Sequence, residues 1–346
     1  MLRYLTAGES HGGSLTAILE GIPAGLKLEA AKINYELRRR QSGYGRGKRM
    51  QIEKDAVQIL SGTRKGLTLG SPISLLIENK DYCIETMPSI YYPRPGHADL
   101  AGALKYGFKD IRNVLERASA RDTASHVAVG AVCKILLEEF KIDISSKVML
   151  IGGECSPQAM MKKILKAKEK KDTVGGIFEI KAQGVPAGLG SYVQQDKRLD
   201  ARLSAAIMSI PGIKAVGFGL GFAYAYRFGS ESHDALYYSR NKEYFRDTNN
   251  AGGIEGGISN GEEIIIHACM KPIATLLKPL HSVNILSRKS GKAQVERSDI
   301  CAVESAAVIG EAKCAFCIAG ALLEKFGEDS LADIKKAYKE YQKRIA

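Results

Sequence analysis

The strongest candidate for binding an anion is a short basic segment, residues 38–49 (RRRQSGYGRGKR), which holds six cations and no carboxylate. Arginine guanidiniums form paired hydrogen bonds with phosphate and carboxylate groups. The glycines predict a loop that follows the C-terminus of a helix, where cations are favoured in any case. The segment is therefore interpreted as an anion clamp or as a solvated loop. A third interpretation, an arm that binds nucleic acid, is less favoured because one tyrosine among glycines is a poor platform for base stacking.

Two histidines lie in segments that leave room for a ligand. His11 is flanked by small residues in segment 8–12 (GESHG), and His97 lies on a Pro-Gly turn in segment 94–99 (RPGHAD). Because histidine titrates near neutrality, either side chain could protonate a leaving group, although a structural role is the plain alternative. The other histidines lack metal-ligand spacing and are expected to be structural: His126, His233, His267 and His281.

Two further segments combine small residues with polar groups. Residues 116–124 (ERASARDTA) begin a predicted helix, whose free N–H groups and dipole favour an anion. Residues 251–261 (AGGIEGGISNG) contain five glycines and allow close backbone approach to a planar ligand or to another strand, but they lack the GK[ST] of a phosphate-binding loop. Residues 271–275 (KPIAT) and 296–299 (ERSD) add polar turns.

The composition narrows the class of protein. The 346 residues include 50 Lys and Arg against 38 Asp and Glu, and the net charge of +12 indicates an anionic partner such as nucleic acid, membrane or a phosphorylated small molecule. The absence of Trp weakens a base-stacking surface. Seven cysteines form no disulfide framework, and the CAFC at 314–317 lies inside an Ala-rich helix. We expect a cytoplasmic protein without a metal, a signal peptide or a membrane span.

Apolar periodicity and capping residues predict the helices and strands that carry these segments. Strands and helices out of strict alternation predict an α+β fold, as one domain over residues 1–346, rather than a doubly wound parallel sheet. The predicted helices are 29–40, 100–107, 118–140, 157–171, 199–209, 304–326 and 331–345. The predicted strands are 2–6, 15–20, 57–60, 73–78, 176–180, 213–222 and 263–268.

One turn occurs twice. Residues 21–26 (GIPAGL) and 184–189 (GVPAGL) each follow a predicted strand and precede a predicted helix, 163 residues apart. Two unrelated Pro-Ala-Gly turns would explain this, but the matching flanks favour an internal duplication of a strand–turn–helix unit.

Taken together, these segments resemble the conserved blocks of the chorismate synthase family, in the family's order and over most of the chain. Any one block is weak, whereas eight in register are specific. The blocks are 8–12, 38–41 with 43–47, 61–62 with 70–73, 94–99, 119–121, 184–190, 251–254 with 256–258, and 297–299.

The resemblance implies a β-α-β sandwich with internal pseudo-symmetry and a homotetramer. It implies a lyase and flavoprotein that forms chorismate from 5-enolpyruvylshikimate 3-phosphate by 1,4-anti elimination of phosphate, in the shikimate pathway of aromatic amino acid biosynthesis. The cofactor would be reduced FMN, supplied from outside by a flavin reductase or another source, with NADPH (the family's NADP link) used only indirectly. No nucleic acid or membrane partner is implied.

The family's residue roles carry over where residues match. His11 resembles the histidine that protonates the leaving phosphate, His97 the one beside flavin N1, and Asp299 the aspartate near flavin N5 that helps remove the C6 proton. Ala118 stands where many relatives have Ser, and Ala274 replaces a residue that varies in the family. The matching binding positions are Arg40, Arg46, Arg117, Ala118, Ser119, Gly256, Lys271, Pro272, Ile273, Ala274, Thr275 and Arg297.

Two functions of other classes stay open from the residues alone. One is a basic RNA-binding protein that uses residues 38–49, and the other is a flavin-dependent oxidoreductase. Release of phosphate without net NADPH consumption would distinguish the lyase from both.

Overall fold

A computed structural model describes residues 1–47, 54–240, 243–296 and 298–345. The strands are β1 (Arg3–Ala7), β2 (Ser14–Glu20), β3 (Val57–Ile59), β4 (Thr63–Arg64), β5 (Leu67–Thr68), β6 (Ile73–Glu78), β7 (Asp143–Ile151), β8 (Gly176–Gln183), β9 (Ile213–Phe218), β10 (Leu236–Ser239), β11 (Glu243–Arg246), β12 (Ile254–Glu255), β13 (Ile258–Ser259), β14 (Ile264–Met270), β15 (His281–Val283) and β16 (Ser290–Lys292). The helices are α1 (Ala30–Gln41), α2 (Asp99–Tyr106), α3 (Arg112–Ala118), α4 (Thr123–Glu138), α5 (Pro157–Glu169), α6 (Leu199–Met208), α7 (Gly229–Ser232), α8 (Val303–Phe326) and α9 (Leu331–Ile345).

Two four-stranded antiparallel sheets form the outer layers. Their strand orders are β1-β2-β6-β3 and β7-β8-β14-β9. Alternate residues face inward, so that Leu15 and Leu19 of β2 and Phe178 and Ile180 of β8 are fully buried. Helices α4 and α8 pack against these inner faces and against each other. The predicted α+β fold is thereby confirmed as a sheet–helix–sheet sandwich.

The two central helices approach closely where they cross. A Cβ added at Gly130 of α4 would lie 2.3 Å from the Cβ of Ala312 of α8. Both helices are apolar nearly all round, as expected for helices with no solvent face. Among the described residues, α8 alone is long and apolar enough to cross a membrane, but 78% of its apolar window is buried inside the protein, as in a core helix.

The repeated turn has the same environment in both halves. The hydroxyl of Thr68 donates to the carbonyl of Pro23 (2.6 Å) and accepts the backbone N–H three residues later (2.9 Å). The hydroxyl of Ser259 does the same at Pro186 (2.6 and 2.8 Å). Each hydroxyl belongs to a short hairpin, β4–β5 or β12–β13, that packs on the turn between a strand and a helix. The two halves therefore share strand order, helix position and turn chemistry.

Two sequence expectations about elements were wrong in their bounds, and one strand of the second sheet was not predicted. The predicted helix 118–140 is interrupted, because the chain is extended at Ser119 (ψ 142°) and its hydroxyl accepts the N–H of Arg121. The predicted strand 213–222 ends at Phe218, because Gly219 has a positive φ of 53°. Strand β7 was missed, because the polar Ser146 faces inward, where its hydroxyl donates to Glu311, and the register shifts between Val148 and Leu150.

Candidate active site

The end of α1 directs its three arginines to three different places. Arg38 is exposed, whereas Arg39 lies 2.6 Å from Glu311, a fully buried carboxylate of α8. Arg40 is buried and lies 3.2 Å from Asp55, and its Nε donates to the hydroxyl of Thr123 at 2.9 Å. Of the predicted basic segment, only residues 38–47 lie within the described residues.

Asp55 joins Arg40 to a second buried arginine. Its other oxygen lies 2.6 Å from Arg121, two residues before the central helix α4 begins. Burial lowers the pKa of Arg40 to about 10, and the positive charges of Arg121 and Arg46 act in the same direction. Buried guanidiniums held this close to one another make a strongly cationic site that favours an anion.

Arg46 pairs with Asp299. The side chain of Arg46 is 11% exposed and its Nη1 lies 2.7 Å from the Asp299 carboxylate. The other Asp299 oxygen accepts the backbone N–H of Gly47 at 2.6 Å. The Nε of Arg46 is buried and makes no hydrogen bond with any described residue, which leaves a charged donor available to a ligand.

His11 is held by a buried carboxylate. Glu116 of α3 accepts the backbone N–H of His11 at 2.8 Å, and both its oxygens lie 3.1 Å from Nδ1 of the imidazole. Burial raises the pKa of Glu116, but the hydrogen bonds from His11 outweigh this and hold it below its ordinary value. An ionised Glu116 only accepts hydrogen bonds, so it favours the tautomer with a proton on Nδ1, and Nε2 of the same ring lies 4.0 Å from Asp81.

Asn79 connects the His11 loop to the buried arginines. Its amide nitrogen donates to the carbonyls of Glu9, Ser10 and Gly12, and its oxygen accepts Nε of Arg121 at 2.9 Å. The residue follows directly after β6, so the sheet fixes its position. The His11 loop and the buried arginines Arg40 and Arg121 therefore belong to one connected polar network.

His97 belongs to a second network that joins the two halves of the chain. Its Nδ1 lies 2.5 Å from Asp99, which also pairs with Arg94 at 2.8 Å. Arg94 donates to the hydroxyl of Thr275 at 2.7 Å, and Lys271 donates to the carbonyl of Gly96. Despite burial, the bonds from Arg94 and His97 hold the pKa of Asp99 well below its usual range.

The rest of segment 271–275 supports this second network through the backbone. The carbonyl of Ile273 accepts the hydroxyl of Thr173 at 2.7 Å. Ala274 lies beside Gly96: a Cβ added to Gly96 would be 3.7 Å from the Cβ of Ala274. Pro272 precedes them in the same turn.

The predicted segment 117–119 mostly stabilises the protein itself. Arg117 donates to the carbonyl of Gly8 at 2.9 Å and to Thr6, and pairs with Asp122 at 2.9 Å. Ala118 ends α3, and the hydroxyl of Ser119 accepts the N–H of Arg121.

Two predicted binding residues lie elsewhere. Gly256 lies in the β12–β13 hairpin, where its carbonyl accepts from Arg198 at 3.3 Å, so its described contacts are with the second half rather than with either network. Arg297 lies outside the described residues. Within the described ranges, no group of three or more His, Cys, Asp or Glu residues is placed to hold a metal ion.

Comparison with known proteins was decisive. The family model described as chorismate synthase matches residues 2–323. The chain is 55% identical over 343 residues to the chorismate synthase of Thermoanaerobacter pseudethanolicus, with 98% of each chain covered, and 50% identical over 390 residues to that of Aquifex aeolicus, with 99% and 98% covered. A crystal structure of chorismate synthase superposes with a TM-score of 0.82 at 43% identity, covering 99% of this chain and 98% of the other.

The chain belongs to the chorismate synthase family. This confirms the family indicated by the eight sequence blocks, and the structural match confirms the fold. In this member of the chorismate synthase family, the predicted residues His11, Arg40, Arg46 and Asp299 lie in or beside the connected network of buried polar groups.

Sequence reasoning did not assign a role to several residues that hold this candidate site together. Asp55 pairs two arginines, Glu116 holds His11, and Asn79 joins the two. Arg112 is 5% exposed and its Nη1 makes no hydrogen bond with a described residue, although it lies 3.8 Å from Glu116. A polar residue directly after a buried strand, as Asn79 is, was the one available signal.

Proposed function

We propose that the chain catalyses the 1,4-anti elimination of phosphate from 5-enolpyruvylshikimate 3-phosphate to give chorismate, with reduced FMN as cofactor. This is a carbon–oxygen lyase reaction that completes the shikimate pathway to aromatic amino acids. The observation that carries the proposal is the network in which buried arginines and a carboxylate-held His11 meet.

Charge supports this substrate. The substrate carries two carboxylates and a phosphate, and burial of such anions requires paired cations. Arg40 and Arg121 are buried around Asp55, and Arg46 keeps a buried N–H donor that no described residue uses. We assign Arg40, Arg46 and Arg121 to the binding of these anionic groups.

His11 is the proposed acid. The Glu116 carboxylate holds a proton on Nδ1, so a protonated imidazole can donate its other proton, from Nε2, to the departing phosphate. Protonation of a leaving group in the transition state contributes roughly 10²–10⁴-fold to rate. Asp299 is the proposed proton relay at C6, and its bond to Arg46 fixes its orientation.

The residues present fit an anionic, planar cofactor. The buried Nη1 of Arg112 makes no hydrogen bond with a described residue, and His97 is oriented by Asp99 and Arg94. Reduced flavin, when bound, supplies electron density to the allylic system as phosphate leaves. We assign its binding to His97, to Arg117, Ala118 and Ser119, to Lys271, Pro272, Ile273, Ala274 and Thr275, and to Gly256 and Arg297. Reduced flavin comes from outside the chain, by a flavin reductase or an equivalent supply that uses NADPH.

A homotetramer in the cytoplasm is also part of the proposal. Support for the oligomer comes from a group of exposed aromatic side chains in the segment from residue 221 to the end of strand β11. Side chains of this kind, exposed together, favour contact with another protein surface. They are Phe222, Tyr226, Phe228, Tyr237, Tyr238 and Tyr244.

The test is an anaerobic assay with the phosphorylated enolpyruvyl substrate and chemically reduced FMN. We expect release of one phosphate per chorismate formed with catalytic FMN, and no net NADPH consumption in a parallel reaction to which NADPH is added. Oxidised FMN serves as a control that should lack turnover, and the His11→Ala variant with reduced FMN should be slower by roughly 10²–10⁴-fold. Stoichiometric NADPH oxidation would instead indicate an oxidoreductase. No phosphate release, together with tight RNA binding, would indicate the nucleic-acid alternative.

A further inference from the structure

A buried cluster of titratable side chains lies outside the residues assigned above. Lys313, near the middle of α8, is 9% exposed. Its ammonium donates to the hydroxyl of Tyr4 of β1 at 2.9 Å and lies 3.3 Å from Nδ1 of His126 of α4. The Tyr4 hydroxyl lies 2.9 Å from the same nitrogen. One lysine thus joins the second central helix to the first sheet and the first central helix.

The hydrogen bonds of this cluster share one donor-to-acceptor direction. Asp122 accepts from Nε2 of His126 at 3.0 Å, so that Nδ1 is free to accept. Tyr4 then donates to Nδ1, and Lys313 donates to Tyr4. Burial raises the pKa of Tyr4, which keeps the phenol protonated, and burial lowers that of Lys313, which weakens its hold on its proton. The chain of donors leads from a cation to the Asp122 carboxylate.

The other end of the cluster reaches the loop that carries His11. Asp122 also accepts from Arg117 at 2.9 Å. The same guanidinium donates to the carbonyls of Thr6 and Gly8, where β1 ends and the loop to His11 begins. A continuous series of hydrogen bonds therefore connects Lys313 to the backbone just before His11.

We propose that Lys313, Tyr4 and His126 are positioning residues that fix the His11 loop through Asp122 and Arg117. None of the three touches the reacting groups in this proposal. Its link to catalysis rests on the proposed function, but its link to the loop is independent of it.

The test measures amide hydrogen exchange by mass spectrometry, on peptides that cover residues 6–12. Lys313→Met removes the cation, and Tyr4→Phe removes only the hydroxyl in the middle of the series. Because loss of a buried hydrogen bond to a charged group favours local opening, exchange in this segment should be about tenfold faster in both variants. Tyr4→Phe keeps the ring, so it decides the matter if Lys313→Met fails to fold.

Phe316→Leu is the matched control. Phe316 packs edge-on against the ring of Tyr4 at 4.8 Å but takes no part in the hydrogen bonds. It should lower the melting temperature without speeding exchange in residues 6–12 more than elsewhere. Wild-type exchange of this segment in a folded Tyr4→Phe protein would overturn the proposal, as would equal acceleration in Phe316→Leu.

A kinetic measurement links the cluster to catalysis. Tyr4→Phe should lower kcat by about tenfold with KM changed less than about twofold, since the acid is displaced while the anion contacts remain. Absence of turnover in the wild-type protein would refute the proposed function and leave the exchange test intact. Faster exchange with unchanged kcat would show that the loop is held by the cluster without consequence for the reaction, which contradicts a positioning role.

Discussion

The guanidinium of Arg46 lies 2.7 Å from the carboxylate of Asp299, and this ion pair joins the loop after α1 to the segment before α8. The sequence suggested separate roles for these residues, an anion clamp on an exposed loop and a proton relay. The structure makes them partners with side chains that are mostly buried, so a change in one must affect the other.

Asp299→Asn is expected to lower turnover by about 10² or more, because an amide cannot relay the proton from C6. FMN affinity should be retained, and the deuterium isotope effect with substrate labelled at C6 should increase. The amide can still accept the N–H of Gly47, so the loop should stay folded. An active Asn variant with an unchanged isotope effect would assign Asp299 to the loop alone.

Arg46→Ala is expected to weaken substrate binding by about 1.5–3 kcal/mol, the magnitude for a lost charge-assisted hydrogen bond. Combination with Asp299→Ala gives a double-mutant cycle, measured by substrate affinity. Because the two side chains are in contact, the double variant should lose less than the sum of the single variants. Strict additivity would show that the ion pair is not maintained when substrate binds.

Glu116→Gln tests the support of His11. The amide cannot stabilise an imidazolium as the carboxylate does, so turnover should fall by roughly 10²–10⁴ with a modest change in substrate binding. His11→Asn should be equally impaired, since an amide supplies no proton. Steady-state kinetics of both variants decide the matter, and near-normal turnover of Glu116→Gln would leave His11 without a functional carboxylate partner.

Acid should destabilise the fold through Asp99. Its pKa in the folded protein lies below the ordinary value of 3.8, so its contribution to stability is full above that pH and is lost as the pH falls further. We expect the melting temperature to fall between about pH 4 and pH 2. Asp99→Asn, although less stable at neutral pH, should lose less over this interval; an identical pH dependence of both proteins would contradict this.

Two glycines of the central helices, one at the point where the helices cross and one away from it, allow a matched comparison of stability. Gly130→Ala should destabilise the protein by about 1–3 kcal/mol, because its Cβ would overlap Ala312 although alanine is the better helix former. Gly320→Ala on α8, where an added Cβ meets no described atom within 4 Å, should instead stabilise by about 0.5–1 kcal/mol. Denaturant unfolding of both variants measures the difference.

Periodicity and turn chemistry predicted most elements of the fold. The apolar run of α8 and the two Pro-Ala-Gly turns were recognised because local residue types dictate them. The interruption at Ser119 was not, since it depends on one hydroxyl that accepts a nearby N–H.

The site was predicted where residues form motifs and missed where tertiary structure brings single residues together. His11 and Arg46 lie in recognisable segments. Asp55 gains its role because the fold brings it to Arg40 and Arg121, and Glu116 because α3 reaches the loop that carries His11; no local pattern marks a carboxylate for either role. Likewise, nothing in the sequence showed that Arg39 would pair with Glu311, whereas Arg40 would pair with Asp55 in the candidate site.

The contacts between the two halves bear on the order of events in folding. Gly47 and Asp299 are 252 residues apart in the chain, and Arg94 and Thr275 are 181 apart. Because closing a longer loop costs more entropy, strand pairs and Pro-Ala-Gly turns within each half can form before these bonds. The Arg46–Asp299 pair and the network around His97 would then be completed only after both sheets have docked on the central helices, so that full competence to bind a ligand and the final folding step become the same event.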